Sequence, residues 1–304
     1  MSSPWTEVRV LVTGAGGFLG ANVAERLAQL GAAVTGVVRT LPSSDGPVPY
    51  LQADVLDRQA LKKIFAQTRP EVVFHLAGKT NAGHAKELVL PAIESNLIST
   101  VVVLSEALEN GAPRVVVTGS LEEPVPGQSP TAAISPYAAS KWATSVYTRM
   151  FHALYALPIT IVRPFMAYGP RQNPSKLIPY LTLNLLRGVE STVSQPERTV
   201  DWVFIEDVVE GVLAAALAPD AVGRSIDFGT GELVPIREIV AHLERITAAP
   251  GRVKLQAAEQ AVGVAGRRAN VEDAATLLDW KATTPLEAGL AKTVAWYRDR
   301  LSGF

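Results

Sequence analysis

A glycine-rich turn between an apolar run and an amphipathic helix constrains this chain more than any other feature. The segment Thr13-Gly14-Ala15-Gly16-Gly17-Phe18-Leu19-Gly20 follows residues 8–13, a β-branched, nearly all-apolar run that reads as a short buried strand. From Gly20 onward Val23, Leu27 and Leu30 recur at helical spacing, and Gly31 stops the pattern. In a strand–turn–helix unit, Gly14 permits the tight turn, Gly17 lets the backbone approach a pyrophosphate, and Gly20 lets helix and strand pack closely. Free N–H groups at the helix start, around Phe18 and Leu19, then face an anion. Glycines alone are a weak signal; in this context they predict a dinucleotide-binding turn.

The N-terminal half goes on alternating. Strands are predicted at 33–38, 72–76, 114–118 and 159–163, and helices at 59–67, 94–109 and from Ser135-Pro136 onward. This pattern predicts an α/β fold, a Rossmann-type doubly wound parallel sheet with ligands at the carboxyl ends of the strands. After Arg163 the alternation weakens, and Pro164, Pro170, Pro174, Pro179 and Pro196 punctuate segments that read as irregular. The expected organisation is a dinucleotide-binding domain over 1–163, with 200–225 returning to it. A smaller mixed C-terminal substrate lobe is expected over 164–199 and 226–304. Residues 42–49 read as a turn-rich loop.

Composition removes several classes. A formal net charge of −1 gives no general pull toward nucleic acid or an anionic membrane. The absence of cysteine excludes disulfides, thiolate catalysis and zinc-thiolate sites, and the four histidines show no metal-ligand spacing. The first eight residues lack a signal-peptide pattern, and the strongest apolar run, 208–217, is too short to span a bilayer. A cytoplasmic protein is expected.

The second strand ends Val37-Val38-Arg39, without the carboxylate that would select NAD through the ribose hydroxyls. The Arg39 guanidinium suits a 2′-phosphate, so NADP is the expected cofactor. The alternative is NAD, with Arg39 stacked on the adenine. Asp54 and Val55, after the next apolar stretch, would lie near the adenine amino group.

Tyr137 and Lys141 are four residues apart and share one helical face. A tyrosine of pKa near 10 is a poor acid–base catalyst at neutral pH, and a neighbouring ammonium is expected to lower it. Tyr137 would then exchange a proton with a substrate oxygen that Ser120, just past the fourth strand, holds by a hydrogen bond. Lys141 is also placed to hold a nicotinamide ribose. His75 reads as a satisfied core histidine, and Trp5, Trp202, Trp280 and Trp296 as core. Trp142 and Tyr147 read as packing or dimer contacts.

These motifs resemble the extended short-chain dehydrogenase/reductases, in their NAD-dependent epimerase/dehydratase branch. The resemblance spans nearly the whole chain. It rests on the turn at 13–20, His75-Leu76-Ala77-Gly78, Asn96, Ser120, Pro136-Tyr137-Ala-Ala-Ser-Lys141, Arg163-Pro164-Phe165, Tyr168-Gly169-Pro170 and Asp201-Trp202-Val203-Phe204-Ile205-Glu206-Asp207. It implies cofactor contacts at Leu76, Ala77, Lys79, Asn96, Tyr137, Lys141 and Pro164. It also implies a nucleotide-sugar-like substrate, and a homodimer built on the helices at 94–109 and 135–155.

Within that branch, dehydratases carry an acid and then Glu after the catalytic Ser or Thr. Here Leu121 takes the acid's position and cannot donate a proton, while Glu122 matches the base. Dehydration is therefore not expected. The Ser-x-Glu-Glu pattern resembles reductases of nucleotide-linked 4-keto-6-deoxysugars. The expected function is NADP-dependent reduction of such a sugar with Tyr137 as proton donor. The alternatives are an NAD-dependent nucleotide-sugar epimerase and a non-catalytic dinucleotide-binding regulator. Met166 replaces the family's usual Asn, and Val200 its usual phosphate-binding Arg. Arg198, two residues earlier on the same strand face, is the expected substitute, with Lys176, Arg268 and Thr80 as further candidate substrate contacts.

Overall fold

A computed structural model describes residues 3–42, 46–124, 132–257 and 266–303. The chain divides into two compact units. The first comprises Met1–Arg163, Val209–Ile226 and Thr276–Leu278; the second comprises Pro164–Val208, Asp227–Ala275 and Asp279–Phe304.

In chain order the first unit begins with β1 (Arg9–Thr13), α1 (Phe18–Gln29), β2 (Ala33–Val38), β3 (Tyr50–Gln52), α2 (Arg58–Thr68) and β4 (Val72–His75). It continues with α3 (Val89–Ala92), a wide turn at Ile93–Ile98, α4 (Ser99–Glu109), β5 (Arg114–Thr118), α5 (Pro136–Tyr155) and β6 (Ile159–Pro164). Seven strands form one sheet in the order β11-β6-β5-β4-β1-β2-β3, where β11 is Ser225–Phe228. Every ladder from β3 to β6 is parallel. The order reverses beside β1, which places a topological switch point at the carboxyl ends of β1 and β4. Leu11, Phe65, Val73, Val103, Leu104 and Val115 belong to the buried core of this unit. Local chemistry starts the helices. The Asp57 carboxylate accepts from the Ala60 amide at 3.0 Å to cap α2. Ser135 accepts from the Ala138 amide at 3.0 Å, with Pro136 in the first turn of α5.

The long helical segment was expected only from residue 94 but runs over Lys86–Glu109, and by length and composition it could cross a membrane. The 208–217 run lies inside α7 (Ile205–Leu217). Lys86–Glu109 supplies Val103, Leu104 and Ala107 to the core and buries Asn96 and Glu106.

The second unit is more regular than its prolines suggest. It holds β7 (Met166–Tyr168), α6 (Leu177–Leu186), β8 (Ser191–Ser194), β9 (Thr199–Val200), β10 (Trp202–Phe204), β12 (Val234–Pro235), α8 (Ile236–Thr247), β13 (Val253–Gln256) and α10 (Leu286–Asp299), with most of α9 (Val271–Leu278). Pro179 sits in the first turn of α6, where its missing N–H has no intrahelical partner to lose. Two buried aspartates tie the loops together. Asp201 accepts from the Thr230, Gly231 and Ala269 amides at 2.8, 2.9 and 3.0 Å. Asp207 accepts from the Thr283 and Thr284 amides at 3.2 and 3.1 Å. Trp5, Trp202 and Trp280 are buried, whereas Trp296 is half-buried.

His75, at the end of β4, is a satisfied core residue. Its Nδ1 meets the Thr13 hydroxyl at 2.8 Å and its Nε2 meets the Thr100 hydroxyl at 3.0 Å. Burial, and then the charge of Lys141, push its pKa down to about 3. The folded chain thus holds this imidazole neutral. Its contribution to stability is complete above the unfolded value near 6.5 and is lost as pH falls toward about 3. In NMR titrations the His75 ring is expected to stay neutral from pH 8 down to pH 5; a midpoint near that of a free histidine would contradict this account.

Candidate functional site

The turn after β1 has the geometry of a phosphate cradle. Gly14 has φ +71°, and a Cβ there would stand 2.7 Å from the Ala77 Cα, so only glycine lets β1 turn beside the strand end of β4. A Cβ at Gly20 would strike the Gly14 carbonyl, which fixes how closely α1 packs on the turn. Gly17 caps α1 with no side-chain partner, and the first turn of α1, which starts with Phe18 and Leu19, holds no acidic residue. Gly16 and Gly17 are exposed. Uncapped amides, a positive helix end and an open surface fit a dinucleotide pyrophosphate.

The other candidate cofactor residues lie along the same end of the sheet. Arg39 is exposed immediately after β2, and its carbonyl accepts from the Gln52 side chain at 3.0 Å. The Asp54 carboxylate accepts from the Leu56 amide at 2.9 Å, so it caps its own turn, while Val55 packs on the core. Leu76 and Ala77 are half-buried and lead into an exposed loop of Gly78, Lys79 and Thr80. Asn96 acts under that loop. Its Oδ1 accepts from the Lys79 amide at 2.9 Å and its Nδ2 donates to the Ser140 hydroxyl at 2.9 Å. It therefore ties the post-β4 loop to α5. Pro164, half-buried, ends β6.

The structure brings Ser120, Tyr137 and Lys141 together. Ser120 is buried just past β5, and its hydroxyl favours the ionised form of the nearby Tyr137 phenol. Tyr137 stands in the first turn of α5, with Lys141 one turn on. Lys141 is 5% exposed, and its Nζ donates to the Thr118 carbonyl at 2.9 Å and the Thr118 hydroxyl at 3.1 Å. Burial pulls its pKa down to about 8, against the attraction of Glu123.

One electrostatic expectation is overturned. Tyr137 is not lowered by Lys141. Burial pushes it up to about 12, the Glu122 and Glu123 carboxylates push the same way, and the nearby Ser120 hydroxyl only partly offsets them. The Lys141 ammonium is directed at Thr118 instead, which explains why the anticipated lowering is absent.

Glu122 is half-buried. Its amide donates to the Ser120 hydroxyl at 3.1 Å, and its carboxylate accepts from the Ser135 hydroxyl at 3.4 Å. Sequence reasoning missed its neighbour Glu123, which is 5% exposed and accepts from the Ser120 amide at 2.6 Å. The only signal was an acidic pair after the serine, and nothing in the pattern says which member turns inward.

The candidate substrate residues Met166, Lys176, Arg198 and Arg268 all belong to the second unit, whereas Thr80 belongs to the first. Met166 opens β7 opposite Trp202. Arg198 is half-buried and ends a turn before β9, while Val200 is buried. Lys176 is exposed at the start of α6, and Arg268 is exposed. Arg267, which with Arg268 lies where a second phosphate-binding arginine is expected from sequence, stands over the Phe165 ring at 5.8 Å.

Comparison with known proteins agrees with this geometry. The chain is 29% identical over 96% of its length to a UDP-glucose 4-epimerase of Mycolicibacterium smegmatis, 99% of which is covered. A solved UDP-glucose 4-epimerase of Thermotoga maritima with UDP-glucose superposes with a TM-score of 0.87 at 26% identity, covering 96% of this chain and 99% of that one. The protein MoeE5, solved in complex with UDP-glucose and NAD, gives a TM-score of 0.85 at 26% identity with the same coverage. The family profile described as the NAD dependent epimerase/dehydratase family matches residues 10–229. The chain therefore belongs to the NAD-dependent epimerase/dehydratase family.

Proposed function

We propose that this chain is a nicotinamide-dinucleotide-dependent epimerase of nucleotide-linked sugars, working by reversible hydride transfer at one sugar carbon. The observation that carries the reading is the assembled Ser120–Tyr137–Lys141 group, with Leu121 where a dehydratase would need an acid. Relatives of nearly equal length that are UDP-glucose 4-epimerases support it. When bound, the dinucleotide supplies a hydride acceptor that returns the same hydride. The chain's own residues move the proton. Ser120 holds the sugar oxygen, and the Tyr137 phenol oxygen exchanges that oxygen's proton as the C–O bond order changes. Lys141 supplies a buried positive charge beside the ribose and the phenol. Lys176, Arg198 and Arg268 are the basic groups offered to a diphosphate, and Thr80 and Met166 to the rest of the substrate.

A second reading, NADPH-dependent reduction of a nucleotide-linked 4-keto-6-deoxysugar, is favoured by Arg39, which is exposed immediately after β2, where a carboxylate would select NAD. Net cofactor turnover separates the readings. Purified protein given UDP-glucose should form UDP-galactose with no net change at the nicotinamide absorbance band. Steady loss of NADPH with a 4-keto-6-deoxysugar nucleotide, and no epimerisation, would establish the reductase instead.

Three further outcomes follow. Tyr137→Phe should lower kcat by about 10²–10⁴-fold while leaving cofactor affinity unchanged; full activity would remove the proton-transfer role. Arg39→Ala should weaken NADPH binding about tenfold or more and NADH binding little if the arginine meets a 2′-phosphate. Equal losses for both cofactors would place Arg39 on the adenine. We also read the chain as a homodimer, because Leu90, Ile98, Trp142, Val146 and Tyr147 expose apolar surface on the helices around α3 and α5. Sedimentation should give a dimer that Tyr147→Glu dissociates, and a monomeric native chain would end that reading.

A further inference from the structure

Glu123 is a buried carboxylate that the proposed chemistry does not use, and its surroundings are built around it. The chain leaves β5 through Thr118-Gly119-Ser120 and closes a tight turn in which the Glu123 amide donates to the Ser120 carbonyl at 3.2 Å. In return, the Ser120 amide donates to Glu123 Oε1 at 2.6 Å. A Cβ on Gly119 would lie 2.6 Å from that same Oε1, so the turn admits the carboxylate only because residue 119 is glycine. Two cations face the carboxylate, Arg163 at the end of β6 and Lys141 on α5. Among the described residues, the other charged or titratable groups coupled to this cluster are Glu122 on the same turn, Tyr137 on α5 and His75 at the end of β4.

We propose that Glu123 is a positioning residue, which clamps the Ser120 backbone so that the catalytic hydroxyl meets Tyr137 and serves as the buried counter-anion of Lys141. The inference rests on the Ser120–Tyr137–Lys141 reading but not on the identity of the sugar. A carboxylate at this site raises the proton affinity of both Lys141 and Tyr137 by its charge. Its removal therefore moves both titrations to lower pH, and Lys141, which titrates near 8, moves into the neutral range. Burial holds Glu123 itself above the usual carboxylate value, while the Ser145 hydroxyl, the Ser120 amide and the two cations favour its charged form.

The test needs no substrate. In protein labelled with ¹⁵N-lysine, the Lys141 Nζ resonance, assigned by its loss in Lys141→Arg, reports the titration directly. Glu123→Gln keeps an acceptor for the Ser120 amide and removes the charge. It should lower the Lys141 midpoint by about one pH unit, with Ser120 amide exchange unchanged. Glu123→Asp keeps the charge and shortens the reach. It should leave the Lys141 midpoint in place and speed Ser120 amide exchange about tenfold. With whichever sugar nucleotide proves to turn over, Glu123→Gln should move the alkaline limb of kcat to lower pH with KM unchanged. An unshifted Lys141 midpoint in Glu123→Gln would overturn the counter-anion role, and unchanged Ser120 exchange in Glu123→Asp would overturn the clamp. If Glu123→Gln does not fold, the aspartate variant decides alone: unchanged exchange rejects the proposal, and faster exchange at a fixed Lys141 midpoint upholds it. Failure of the epimerase reading shows instead as a missing sugar product, with the lysine titration intact.

Discussion

The site depends on one desolvated cation. Lys141 is nearly without water contact, and a buried ammonium carries a cost of several kcal/mol unless polar groups replace its solvent. The Thr118 carbonyl and hydroxyl do so at 2.9 and 3.1 Å. These two bonds join α5 to the last residue of β5, and so determine where Tyr137, one turn earlier, meets Ser120. The carbonyl is free to accept because β5 stops there and the chain leaves the sheet through Gly119.

A charge buried in this way shapes its neighbours. His75 lies at the end of the adjacent strand, bridging two threonines, and its own burial, to which the Lys141 charge adds, keeps it neutral. Glu123 is drawn inward instead of facing water. Asn96 then closes the loop after β4 against Ser140 of α5, so that loop is joined to the same helix that carries Tyr137 and Lys141. The Ile93–Ile98 wide turn holds Asn96, and such a turn departs from regular helix spacing where a functional side chain must be aimed.

Much of this was legible in the sequence, for physical reasons. The 33–38 and 114–118 strands match residue for residue, because parallel strands buried on both faces read as continuous β-branched runs bounded by Gly or Asn-Gly turns. The Ser135-Pro136 start of α5 was legible because capping is local. Local patterns could not reveal interactions between distant residues. Asp201 holds Ala269, 68 residues away, so a proline-punctuated stretch looks irregular until its partners are known. The start of the long helix at Lys86 was hidden by Pro91, which lies inside the segment. Glu122 and Glu123 are chemically identical neighbours, and only the direction of the turn after β5 separates a half-buried group from a buried one.

The same limit explains the misjudged electrostatics of Tyr137. Four-residue spacing shows that a phenol and an ammonium share a helix face, but not where the ammonium points. In the folded chain the lysine's bonds go to Thr118, and burial together with two carboxylates leaves the phenol holding its proton more tightly than in water. A tyrosine in this state stays protonated and gives up its proton less readily than a tyrosine in water. For the chain to run an epimerisation in both directions, positive charge must be brought to the phenol when it is to accept a proton. Lys141 is the chain's own source of that charge. The carboxylate that keeps Lys141 protonated also opposes ionisation of Tyr137. On the proposed reading, the balance of proton donation against abstraction is therefore set by how Glu123 acts on the lysine and the tyrosine together.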